Sequence, residues 1–322
     1  LALLVGLIGY GIYTRLGTEF SFRYKHDDRY QVYNPDKPPK LVHFAGEVVP
    51  LENKAVASLF SQELRLNTQH NASWIPVIER ARHWLPKITP ILRQYGIPED
   101  FKYLSVVESM LRNVQSSKGA GGFWQMIPLT AREYGLEVNE EVDERYHPIK
   151  ATVAACKYFR EAYRWFGDWT SVAASYNAGM YALDRAYRKQ GEESFYGLKL
   201  NKQTTIYVFR VLAVRQLLEH PKTYGYKVSR HDPLYEPLKT VKVEASIPDL
   251  EAFAAEHGIS YATLQRHNPW LLRNTLTIKE EGKTYTLLIP REKEVLVASQ
   301  PTELPSHLAV PEVLEDSVLI DN

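Results

Sequence analysis

Residues 99–111 read EDFKYLSVVESML, and residues 119–128 read GAGGFWQMIP. At about 100° per residue, Phe101, Leu104 and Leu111 form one apolar stripe on a helix over Glu99–Leu111. Glu108 falls on that same stripe, between Phe101 and Leu104 in angle. A carboxylate on an apolar face is desolvated, which disfavours its charge and raises its pKa. A glutamic acid still protonated near neutral pH suits the work of protonating a leaving oxygen. Arg112, one helical turn on, offers a blander account, a surface pair worth ~0.3–0.5 kcal/mol. The helix alone leaves the two readings even.

The residues that follow tip the balance. Ser116-Ser117-Lys118-Gly119-Ala120-Gly121-Gly122 holds too much glycine for a helix interior, so it is a loop whose backbone a ligand can approach closely. It leads into Phe123-Trp124-Gln125-Met126-Ile127-Pro128. Trp124 is expected to offer a sugar-stacking face, and Gln125 a neutral donor and acceptor for hydroxyl or acetamido groups. No strand-GxxxxGK[ST]-helix context surrounds the glycines, which excludes a phosphate loop. Further on, Ala173-Ala174-Ser175-Tyr176-Asn177-Ala178-Gly179 reads as a small-residue helix end presenting Tyr176 and Asn177.

Outward from this centre the pattern is helical from Asn53 to His220. Helices are expected at Ile75–Tyr95, Ile149–Phe166, Ser171–Ala178, Tyr181–Lys189 and Thr204–Glu219, with few strand signals between them. Lys239–Glu244 and Tyr285–Ile289 read as strands around two short helices, the first capped by Ser246 and the second starting at Ser260. Ser21–Pro50 contains Pro35, Pro38, Pro39 and Pro50 and reads as an extended tether. Leu1–Tyr13 is apolar and uncharged and reads as the end of a signal sequence or a membrane anchor. The tail from Ser299 is acidic, proline-punctuated and expected to be disordered.

Composition narrows the class further. A net charge of +1 gives no field to draw the chain toward nucleic acid, so no nucleic-acid partner is expected. The single cysteine, Cys156, cannot form an intrachain disulfide, and no Cys/His ligand spacing exists, so neither metal nor cofactor is expected.

Taken in order, these residues resemble the lytic transglycosylases of glycoside hydrolase family 23. The matching pieces are Glu108-Ser109, the run Gly119–Pro128, Thr130-Ala131, Tyr134-Gly135-Leu136, Asp143-Glu144-Arg145, Phe166-Gly167-Asp168-Trp169 and Tyr176-Asn177-Ala178-Gly179. The resemblance implies a mainly α fold, a lysozyme-like all-helical catalytic domain, with Glu108 as the acid/base. It implies substrate contacts at Ser109, Ser116 or its neighbour Ser117, Gln125, Tyr176 and Asn177. Asp143-Glu144-Arg145 is expected to hold structure by ion pairing. The β-α-α-β unit resembles a LysM module, although Glu244-Ala245-Ser246 stands where that module carries Gly-Asp-Thr. That departure leaves its glycan binding open.

The expected organisation is therefore an anchor remnant over 1–20, a tether and first helix over 21–70 and the catalytic domain over 71–232. A LysM-like domain over 233–292 and the tail over 293–322 complete it. The resemblance implies peptidoglycan glycan strands as partner, the periplasmic side of a bacterial envelope as location, and a lyase reaction that leaves a 1,6-anhydromuramyl end. From Phe101 to Met126, Glu108 is the only acidic residue, whereas ordinary glycosidases flank the bond with two carboxylates. A hydrolytic muramidase or chitinase, and a non-catalytic glycan-binding scaffold, are the competing readings.

Overall fold

The computed structural model describes residues 41–68, 71–227 and 237–291. The expected anchor over 1–20, the tether up to residue 40 and the whole of the tail over 293–322 lie outside these residues.

A small hairpin opens the described chain, β1 (His43–Phe44) and β2 (Glu47–Val48). Helices α1 (Lys54–Thr68) and α2 (Asn71–Gln94) follow. A 3-10 turn over Glu99–Phe101 leads into α3 (Lys102–Ser109). Then come α4 (Pro128–Glu133), α5 (Pro148–Phe166), α6 (Trp169–Ala178), α7 (Met180–Gln190) and α8 (Lys202–Glu219). The second unit is β3 (Leu238–Val243), α9 (Leu250–Glu256), α10 (Tyr261–His267) and β4 (Tyr285–Pro290).

The helical unit is built around α8. Its buried residues, Tyr207, Val208, Val211 and Leu212 on one side and Phe209, Ala213 and Leu217 on the other, lie on nearly all sides, so α1, α3 and α6 pack against different faces of it. Phe60 and Leu64 of α1, Ile88 and Leu92 of α2, Leu104 of α3 and Phe159 of α5 complete the core. Phe101 sits edge-on to Phe159 at 4.7 Å and to Trp169 at 5.3 Å, fixing the start of α3 against α5 and α6. The three prolines inside α2, Pro76, Pro86 and Pro90, lie on its exposed side, away from the core.

Three expectations need correction. The tether does not extend to Pro50: Val42, Phe44 and Val49 are buried in the main core. Ala45 and Gly46, both at positive φ, turn the chain so that Glu47 reaches the start of α6. There its carboxylate accepts from the Trp169 and Thr170 backbone N–H groups at 2.6 and 2.9 Å, capping a helix with a distant side chain. Helix α4 was not expected; Pro128 at its first position is the signal. In the second unit Asp249, not Ser246, caps α9, and Ser246 accepts the Ile278 N–H instead.

Strands β3 and β4 pair antiparallel, Val243 opposite Tyr285 and Leu238 opposite Pro290. With α9 and α10 they enclose a second core of Leu250, Leu264, Trp270, Leu276, Leu287 and Ile289. The unit is thus β-α-α-β, set against the helical unit through residues 137–143.

Candidate active site

Glu108 lies in the last turn of α3 and is half-buried. Its partner is not Arg112. Tyr207 of α8, itself buried, donates from Oη to Glu108 Oε1 at 2.6 Å. Burial pushes the Glu108 carboxyl up to about 7, against the smaller opposing pulls of the Tyr207 hydrogen bond and the Arg210 charge. With Oε1 occupied by the Tyr207 hydrogen, the acid proton belongs on Oε2. The arrangement is a neutral, hydrogen-bonded carboxylic acid that can donate near neutral pH and accept the proton back.

Arg210 stands one turn along α8 from Tyr207, and its Nε lies 3.1 Å from Glu63 Oε2 of α1. Glu63 is almost fully buried and so acts as a counter-charge set behind Arg210. Tyr176 of α6 also feels Glu108: burial and that carboxylate hold its phenol well above the usual range, and its hydroxyl donates to the Trp124 carbonyl at 2.7 Å. Asn177 is exposed, and its Oδ1 accepts from Thr204 Oγ1 at 3.1 Å.

The chain leaves α3 through two successive non-glycine residues in the left-handed region, Met110 at φ 55° and Leu111 at φ 55°. Each costs of order 1 kcal/mol or more, and such strain clusters at functional sites. Buried Leu111 and the Arg80 Nε bond to the Met110 carbonyl at 2.8 Å hold the turn. The glycine-rich loop then folds back, with Gly121 bridged to both Gln115 and Met126.

Several expected substrate residues do other work. Trp124 is fully buried, with Nε1 donating to Thr152 Oγ1 at 3.0 Å, so it is a core residue and not a stacking face. Ser109 is buried too; its hydroxyl donates to the Phe123 carbonyl at 2.9 Å and ties α3 to the loop. Gln125, at φ 49°, donates from Nε2 to the Val114 and Gly122 carbonyls at 2.9 and 2.8 Å, which commits its amide donor to the loop. Ser116 Oγ accepts the Ala120 N–H at 3.0 Å, and Ser117 is exposed. The structure therefore gathers Glu108, Tyr176 and Tyr207 in one place, with Asn177 tied to the same helix pair. Tyr207, Arg210 and Glu63 escaped sequence reasoning. The available signal was a Tyr and an Arg one turn apart in the stretch Ile206–Val214, which is otherwise apolar.

The family model for the Transglycosylase SLT domain matches residues 91–198. That for the Soluble lytic transglycosylase C-terminal LysM-like domain matches residues 239–293. The chain carries an SLT domain followed by a LysM-like domain. The helical SLT unit holds Glu108, and the β-α-α-β unit is the LysM-like one. Two curated relatives, each named Membrane-bound lytic murein transglycosylase D, come from Escherichia coli strains K12 and O6:H1 (CFT073). Both are 29% identical over 204 residues, covering 61% of this chain and 44% of theirs. The chain thus matches less than half the length of these relatives.

Proposed function

We propose that this protein cleaves the β-1,4 bond between N-acetylmuramic acid and N-acetylglucosamine in peptidoglycan, leaving a 1,6-anhydromuramyl end. The observation that carries the reading is that Glu108, within the SLT match, has its carboxyl raised to about 7 and bonded to Tyr207 of α8. Glu108, protonated on Oε2, gives its proton to the glycosidic oxygen as that bond breaks. The substrate's acetamido oxygen steadies the cationic sugar carbon, with Tyr176 and Asn177 beside it. Glu108, now a carboxylate, takes the proton of the muramyl 6-hydroxyl, whose oxygen closes on that carbon. No water is consumed, and the internal nucleophile avoids much of the entropy cost of a bimolecular step.

The LysM-like unit and the "membrane-bound" name of the two relatives support a place at the bacterial cell envelope. Among the described residues no helix is long and apolar enough to cross a membrane, and the apolar Leu1–Tyr13 lies outside them.

The experiment is mass spectrometry of purified peptidoglycan digested by wild-type and Glu108→Gln protein. Anhydromuramyl ends from the wild type alone are expected. Reducing ends would replace this reading with a hydrolase, and glycan binding without products would replace it with a scaffold.

A further inference from the structure

The segment between α4 and α5 joins the two units more tightly than a linker would. Glu137 ion-pairs with Lys283 at 2.8 Å and accepts from Tyr285 Oη at 2.9 Å. Glu141 accepts from Thr275 Oγ1 at 2.6 Å and from the Thr277 hydroxyl and N–H, both at 3.0 Å. Backbone bonds run from Leu272 N–H to the Glu141 carbonyl at 2.8 Å and from Asp143 N–H to the Trp270 carbonyl at 2.9 Å. Val142, 2% exposed, is a member of the LysM-like core rather than of the helical one. That core is completed by a side chain from the catalytic unit.

The same segment grips the glycine-rich loop on its other side. Arg145, buried and forked onto Asp143, donates from Nη1 to the Gly119 carbonyl at 2.6 Å and to the Met126 carbonyl at 3.0 Å. Asn113 Nδ2 donates to the Tyr146 carbonyl at 3.0 Å. Gly122 lies so close that a Cβ there would stand 1.8 Å from the Arg145 carbonyl oxygen. The contact is backbone on backbone and leaves the loop no slack.

We infer that the LysM-like unit braces the substrate loop: by burying Val142 and holding Glu137, Glu141 and Asp143, it sets Arg145 against the loop, and Arg145 is a positioning residue. An Arg has the planar fork needed to hold Asp143 and two carbonyls together, which a Lys lacks. Buried over Val142–Arg145 and hydrogen-bonded on both sides, the segment passes a displacement of one unit to the other. The inference takes from the proposed function only the loop's role in binding glycan.

The test uses the full chain carrying Val142→Asp, which places a carboxylate in the LysM-like core. The double variant Glu137→Gln with Glu141→Gln loosens the same contact more gently should the first fail to fold. Hydrogen exchange is followed at the bonded amides of Gly119, Gly121, Gly122 and Gln125, with Leu212 and Val214 in α8 as controls. Exchange at the four loop amides is expected to quicken tenfold or more while the controls hold. With a soluble tetrasaccharide of alternating N-acetylglucosamine and N-acetylmuramic acid, KM is expected to rise severalfold with kcat little changed. Arg145→Lys is expected to give intermediate exchange. Wild-type loop exchange in a variant whose LysM-like amides have lost protection would overturn the inference. The exchange arm needs no turnover, so it decides this question even if the proposed reaction proves wrong.

Discussion

Tyr207 donates to Glu108 across 2.6 Å, although 99 residues separate them in the chain. The bond fixes the carboxyl's orientation and assigns its two oxygens different tasks. It also opposes burial, because a donor to a carboxylate favours the ionised form. The near-neutral acid is the outcome of that opposition, and each partner can be altered separately.

Replacing Glu108 by Gln keeps an acceptor for Tyr207 but removes the proton. Turnover of peptidoglycan is expected to fall by roughly a hundred- to ten-thousandfold. Stability moves the other way. Between the ordinary value near 4.5 and the folded value about 7, the native state holds a proton that the unfolded chain has released. Wild-type stability therefore falls as pH rises through that window. Glu108→Gln is expected to be the more stable protein at pH 8, by about 1–3 kcal/mol, with the gap closing below pH 4.5. Paired urea titrations at the two pH values measure it, and equal stability at both would contradict the raised pKa.

The alkaline limb of kcat/KM is expected to fall near pH 7, as Glu108 loses the proton it must donate. Glu63, paired with Arg210, is expected to influence where that limb lies. Without its carboxylate, Arg210 presents an unopposed charge to Glu108 and favours the ionised form. Glu63→Gln is expected to move the limb to lower pH with the products unchanged. A limb that stays in place would remove Glu63 from the electrostatics of the site.

Tyr207→Phe takes away a hydrogen bond to an acceptor that becomes charged as Glu108 gives up its proton. Such bonds contribute about 1.5–3 kcal/mol, or roughly a ten- to hundredfold loss in kcat. The remaining activity is expected to show its alkaline limb at higher pH, opposite to Glu63→Gln. Steady-state kinetics across pH distinguishes the two variants by the sign of the shift.

Trp124 separates packing from recognition. Trp124→Phe loses the Thr152 bond and part of the buried ring, and is expected to cost about 1–3 kcal/mol of stability. KM measured well below the melting temperature is expected to stay within about twofold, since no sugar lies against a fully buried indole. A large KM increase in a well-folded variant would restore the stacking role.

Helices α1, α5 and α7 were legible because each buries one face against a neighbour, and that demand writes a period into the sequence. Glu108 was legible for the same reason, as the one charged residue on the Phe101–Leu104–Leu111 stripe. Tyr207 was not, because α8 is buried on nearly all sides and a tyrosine there looks like filler. The side chains of Trp124, Ser109 and Gln125 carry chemistry suited to sugars, but residue type says nothing of which direction the chain faces. Two left-handed residues at Met110 and Leu111 turn the chain out of α3, and on either side of that turn Ser109 and Trp124 are buried. The hairpin at His43–Val48 was hidden by neighbouring prolines, although Ala45-Gly46 marked its turn.

Glu108 belongs to the segment 91–198, but Glu63, Tyr207 and Arg210 do not. Grafting that segment onto a host protein would transplant the acid without the groups that tune and aim it. The Glu47 cap would also stay behind, leaving the start of α6 without its distant carboxylate. For anyone shuffling such domains into chimaeras, the exchangeable part must reach from the hairpin through the end of α8. A shorter cassette would keep the glutamate and lose the burial and the hydrogen bond that together set its affinity for a proton.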